Sequence, residues 1–139
     1  MFSRIVFATD GSDDAHSAED YALELARKNH SKVFVVHAYS RVPEVLGAPA
    51  WEHIIAERVG TGRQVLSGAV RLFERAGVTV EGELIEGDLA EAVLSVADAR
   101  DCDLIIMGEH IRSELEDILF GCSSHQVIHH ANCPVLVIP

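Results

Sequence analysis

Apolar residues in this chain fall into two alternating kinds of segment: short continuous runs, and longer stretches in which they recur every three or four positions. The runs are Arg4 to Thr9 (RIVFAT), Lys32 to Tyr39 (KVFVVHAY), Val78 to Ile85, Leu104 to Gly108 (LIIMG) and Val135 to Ile138 (VLVI). Runs this apolar and β-branched predict strands covered on both faces. Gly82, inside the third run, reads as the mark of an edge strand.

Between the runs the period changes. Asp10-Gly11-Ser12 is a turn and helix-start signal, and from Ser12 the residues Ala15, Ala18, Ala22, Leu25 and Ala26 make one helical stripe. Asp13 and Asp14 fall in its first turn, where the helix dipole favours negative charge. Ser40 to Ala50, with Pro43, Gly47 and Pro49, reads as a loop. A long helix is predicted from Trp51 to Ala76 on the stripe Ile55, Val59, Gly62, Leu66, Ala69, Phe73 and Ala76, with a bend expected at Gly60 and Gly62. Gly87-Asp88 starts a short helix with Leu89, Ala92, Val93 and Val96 inward. Residues 109–120 form a long connection, and a last helix begins near Cys122 and carries Val127, Ile128 and Ala131.

Five apolar strands alternating with four helices predict one α/β domain over residues 1–139, a doubly wound parallel sheet of order 3-2-1-4-5 with helices on both faces. In such sheets ligands bind beyond the carboxyl ends of the strands, where the winding reverses. That places Asp10, Ala38 and Gly108 around one crevice. The last strand falls at a sheet edge and carries no charge, so Val135, Leu136, Val137 and Ile138 are the expected homodimer interface.

Composition narrows the partners. The net charge is -11, from 11 basic against 22 acidic residues, which argues against nucleic acid and anionic membrane. No stretch has the length of a membrane span and no signal core opens the chain, so a cytoplasmic location is expected. Cys102, Cys122 and Cys133 show no C-x-x-C spacing and predict neither a disulfide framework nor a cysteine-rich metal site.

Four segments carry a resemblance to the universal stress protein family along essentially the whole chain: RIVFATDGSDDA, VFVVHAY, EGDLAEAV and DLIIMG…LFGCSSHQVIHHANCPVLVIP. The resemblance implies an adenine nucleotide alpha-hydrolase-like fold, a stress-response role and dimerisation through the last strand. In the nucleotide-binding members it implies a loop of Gly, two residues, Gly, nine residues, Gly and Ser or Thr. Gly108 and Gly121 match the outer glycines, while Ile111 stands at the second glycine and Cys122 at the Ser/Thr, followed by Ser123. By the same resemblance Asp10 would meet the ribose or a metal-bound phosphate, and the backbone at Ala38 would read the adenine edge. For Asp10 a helix-capping role is the competing reading.

Ile111 is expected to put a side chain where phosphate needs backbone. Glu109, Glu114, Glu116 and Asp117 outnumber the single Arg112 in that loop. The leading expectation is therefore a regulatory homodimer with an unidentified protein partner, weak or no ATP binding, and no required cofactor. The alternative is an ATP- or AMP-binding member using a magnesium ion, with slow hydrolysis. A third reading, a small adenine-nucleotide-dependent enzyme, lacks a catalytic group: no Ser-His-Asp set or nucleophile elbow is present. Cys122, His125 and His129 have a C-x2-H-x3-H spacing without an evident fourth ligand, and are expected to hold no metal. His37 is expected as a hydrogen-bonded strand residue.

Overall fold

The computed structural model describes residues 1–111 and 123–139. In chain order the elements are β1 (Arg4–Ala8), α1 (Asp13–Asn29), β2 (Lys32–Tyr39), a 3-10 turn (Glu44–Leu46), α2 (Ala48–Arg75), β3 (Thr79–Glu86), α3 (Leu89–Ala99), β4 (Leu104–Gly108), α4 (Ser123–His130) and β5 (Val135–Ile138). The strands form one parallel sheet in the order β3-β2-β1-β4-β5, the doubly wound arrangement expected from the alternation of runs and helices.

Strand periodicity divides the core in two. Ile5 and Phe7 of β1, with Val33 and Val35 of β2, face α1 and α2, where Ala18, Ala22, Ala69 and Phe73 meet them. The Phe7 and Phe73 rings stand 5.7 Å apart at 58°, a tilted contact of the kind aromatic pairs favour. Val6, Phe34 and Val36 face the other way, against Val93 and Val96 of α3 and Val127 of α4. Fully burying a side chain of this size contributes roughly 1.5–3 kcal/mol. The alanine stripe of α1 is buried throughout, so this helix lies close on the sheet.

Three local expectations are corrected. Helix α2 starts at Ala48, not Trp51, because Pro49 occupies its first turn, where a missing N–H costs nothing. The helix runs unbroken past Gly60 and Gly62. A Cβ on Gly62 would lie 2.8 Å from Leu84 Cδ1, so this glycine permits close approach to β3 rather than a bend. Gly82 has the same cause from the other side: a Cβ there would meet Val70 Cγ2 at 2.9 Å. Its strand is an edge strand, as read, but the glycine serves the helix above it. In α4 the inward place belongs to Val127, and Ile128, one residue on and about 100° round the helix, is 55% exposed.

Helices α1 and α3 are capped by their own side chains. The Ser12 hydroxyl accepts from the Ala15 N–H at 3.3 Å, and the Asp88 carboxylate accepts from the Glu91 N–H at 3.1 Å. No helix among the described residues is long and apolar enough to cross a membrane.

Candidate functional site

Sequence order alone brings three turns to one end of the sheet. The turns after β1, β2 and β3 all leave at its carboxyl end, and α2 enters from above them. Between them lies a crevice of about 500 Å³ lined by Asp10, His37 to Ser40, Gly87 and Leu89, and by Ile54, Glu57, Arg58, Thr61 and Gly62 of α2. It sits at the position where a doubly wound sheet is expected to take a ligand.

Asp10 is in this crevice, and it does not cap α1. Its carboxylate accepts from the Ser12 N–H at 2.9 Å, closing an Asx turn, while Ser12 supplies the cap. The Asp10 side chain is half-buried and lines the opening.

Ala38 is placed by strand geometry. The Thr9 N–H donates to the Val36 carbonyl at 3.0 Å, and the Gly87 N–H donates to the Tyr39 carbonyl at 2.8 Å. Even-numbered peptides of β2 thus face β1 and odd-numbered ones face β3. Pairing with β1 ends at Ala8–Val36, so the peptide edge of Ala38 is turned toward the space that β1 has vacated. Beside it the His37 Nδ1 lies 2.7 Å from the Thr9 carbonyl oxygen. A carbonyl only accepts, so Nδ1 carries a proton and fixes the ring against the end of β1. His37 is half-buried, a hydrogen-bonded strand residue as read, but it also lines the crevice.

The β4 side departs from expectation. Gly108 is buried, and a Cβ there would come within 2.8 Å of the Asp14 carbonyl oxygen. Its lack of a side chain lets the first turn of α1 cross the end of β4, and the residue is absent from the crevice lining. Ile111 is fully buried in the core with Met107, Leu89 and Val127. Its side chain faces the apolar interior, and the connection that follows it lies outside the described residues. Ser123 is 0% exposed, so it is packed and not offered to a ligand; its N–H donates to the Ile111 carbonyl at 3.3 Å. The Ser124 hydroxyl donates to the Glu109 carbonyl at 2.9 Å. Gly121 and Cys122 lie outside the described residues, and with Cys122 goes the expectation about a Cys122, His125 and His129 set. His125 and His129 are exposed on α4, and among the described residues no three His, Cys, Asp or Glu side chains converge on a metal position.

Arg58, Glu57, Thr61 and Ile54 were not singled out by the sequence reading. The apolar stripe of α2 was legible; the second stripe, Ile54, Arg58 and Thr61 at steps of four and three, was the available signal. The Arg58 guanidinium donates through one terminal nitrogen to the Ser40 carbonyl at 2.8 Å, tying α2 to the loop after β2.

Two thiols lie near the far end of the sheet. Burial pushes Cys102 up to about 11, and burial also raises Cys133. Thiols held protonated in this way are poor nucleophiles, which leaves them outside the candidate chemistry.

The model of the universal stress protein family matches residues 1–139. A universal stress protein of Thermus aquaticus is 36% identical, over 99% of this chain and 99% of its own length. The crystal structure of a universal stress protein family member from Burkholderia pseudomallei superposes with a TM-score of 0.77 at 30% identity, covering 99% of this chain and 96% of that one. The universal stress protein of Archaeoglobus fulgidus in complex with dAMP superposes with a TM-score of 0.66 at 26% identity, covering 100% of this chain and 98% of that one. A family match over the full chain and a relative 36% identical along 99% of its length agree: this chain belongs to the universal stress protein family.

Proposed function

We propose that this protein is a homodimeric stress-response regulator that takes an adenine nucleotide weakly, holding it by its nucleoside end. The observation that carries the reading is the half-built crevice: Asp10 and the open peptide edge of Ala38 share one cavity, while Gly108 and Ser123 are packed away from it. A carboxylate beside a ribose can accept from two hydroxyls, and a free strand edge can pair with a purine edge. On the β4 side the sequence supplies Glu109, Glu114, Glu116 and Asp117 against Arg112, a balance that repels a triphosphate unless a cation intervenes. The dAMP held by the Archaeoglobus fulgidus relative favours a nucleotide of this class. A magnesium ion would serve only the longer phosphate chains, and Asp10 is the residue that would face it.

Dimerisation is part of the same proposal. Strand β5 is a sheet edge, and Val135, Leu136 and Val137 are half-buried with no charged residue in the strand. Antiparallel pairing with a second copy would satisfy its outer backbone groups in a closed two-fold contact.

Calorimetry with AMP and with ATP plus magnesium tests the ligand reading. ATP is expected to bind no tighter than the high micromolar range, weaker than about -6 kcal/mol, with AMP at least its equal. A submicromolar constant for ATP, well below that for AMP, overturns it.

A further inference from the structure

Arg58 is the one cation that lines the crevice among the described residues. Several other cations are held by carboxylates, although Arg4 of β1, also half-buried, is bonded to a neutral carbonyl, that of Arg100. Lys32 pairs with Glu81 at 2.8 Å, Arg100 with Glu83 at 2.7 Å, Arg41 with Glu86 at 3.6 Å, and Lys28 on α1 with Glu24 at 2.9 Å. Arg58 is half-buried and has no carboxylate of the described residues within ion-pair distance; its guanidinium donates to the neutral Ser40 carbonyl. A half-buried guanidinium at a cavity wall that is tied to no carboxylate keeps donors available to an anion.

We infer that Arg58 is the residue that selects the ligand's charge: it binds a single phosphate group on the α2 side of the crevice, so that the site takes a nucleoside monophosphate and does not depend on the β4–α4 connection. This inference rests on the nucleotide reading of the crevice and adds the phosphate's place to it. One arm of the guanidinium is held by Ser40, which fixes the plane and leaves the remaining N–H groups to meet a phosphate oxygen pair in the fork geometry that arginine offers and lysine does not. Asp10 and Glu57 line the same cavity. Two carboxylates and one guanidinium leave the lining one negative charge in excess, so every phosphate group beyond the one that Arg58 contacts adds repulsion with no cation to meet it. The preference for monophosphate over triphosphate thus comes from the charges within the cavity.

The test is binding of AMP, adenosine and ATP to the full chain and to Arg58→Ala and Arg58→Lys, by calorimetry at low and at raised salt. Arg58→Ala is expected to weaken AMP by roughly tenfold to a hundredfold, the loss of a charge-assisted contact. Adenosine binding should change less than twofold, and the salt dependence of AMP binding should flatten. Arg58→Lys should recover part of the AMP affinity, because charge returns without the fork. Unaltered adenosine binding also reports that the Ala variant keeps its fold. If AMP binds the unaltered protein and Arg58→Ala leaves it unchanged, or weakens AMP and adenosine alike, the placement of the phosphate is wrong while the nucleotide reading stands. If neither AMP nor adenosine binds the unaltered protein, the nucleotide reading fails and the inference falls with it.

Discussion

The β3 edge of the sheet is eight residues long and carries Glu81, Glu83 and Glu86, each beside a cation, whereas the β5 edge is four residues long and wholly apolar. The cations at β3 also cover apolar surface: Lys32 and Arg100 lie 5.2 and 5.5 Å from the Phe34 ring centre, with Arg4 at 5.1 Å. Exposed ion pairs of this kind contribute only about 0–1 kcal/mol each, too little to explain their concentration on one strand as stability. Their larger effect is on association. A further strand laid along β3 would have to displace or bury three carboxylates, whereas one laid along β5 meets Val, Leu and Ile. The two edges of one sheet thus give opposite instructions to a second chain.

The contrast can be broken at β5 first, where the effect should be largest. Val137→Lys would set two ammonium groups close together across a two-fold β5 contact. It is expected to raise the dimer dissociation constant a hundredfold or more, roughly 3 kcal/mol, read by sedimentation equilibrium. If the unaltered protein sediments as a monomer at tens of micromolar, the β5 pairing is wrong.

At β3 the strand is guarded by α2 as well as by charge. Gly82→Ala would drive a methyl group to 2.9 Å from Val70 Cγ2 and 3.0 Å from Leu66 Cγ, lifting the helix from the edge. The expected loss is about 1–3 kcal/mol of unfolding free energy in urea titration. No loss would mean that the helix does not bear on the strand there.

The smallest expected effect sharpens the comparison from the other side. Glu81→Val combined with Glu83→Val should leave stability within about 1 kcal/mol, since the pairs lost are exposed or half-buried and the buried Glu83 Oε2 has no partner to lose. It should nevertheless produce species larger than the dimer in sedimentation velocity at neutral pH. Acid should approach the same state in the unaltered protein. A hydrogen bond from Lys32, and then its charge, hold the Glu81 carboxyl below the usual range. The pair's contribution is therefore fully present above the ordinary carboxyl range and is lost only as pH falls through the lowered value. A double variant that remains dimeric would show that the charges do not guard this edge.

The sheet was legible because its strands are apolar on both faces: bounds predicted from RIVFAT, KVFVVHAY, LIIMG and VLVI match the observed ones to within one residue. What propensity obscured was decided by packing. Pro49 looked like a loop residue because proline breaks helix interiors, yet a first turn has no use for its N–H. Gly62 and Gly82 looked like weaknesses because a sequence does not display which helix lies over which strand. Asp10 and Ala38 were found because strand ends in a doubly wound sheet converge by rule. Arg58 was not, since its importance lies in the carboxylate it lacks, a property of its surroundings and not of its helix.

Gly108 changes how a motif of this kind should be interpreted. Its missing side chain makes room for the Asp14 carbonyl of α1, so the first turn of that helix and the end of β4 are fitted to each other whether or not any ligand is present. A lineage that abandoned phosphate binding would still have to keep this glycine in order to keep its fold. In families built on this sheet, then, the first glycine of the loop is a marker of architecture, and the inheritance of nucleotide binding must be traced through residues that have no second employment.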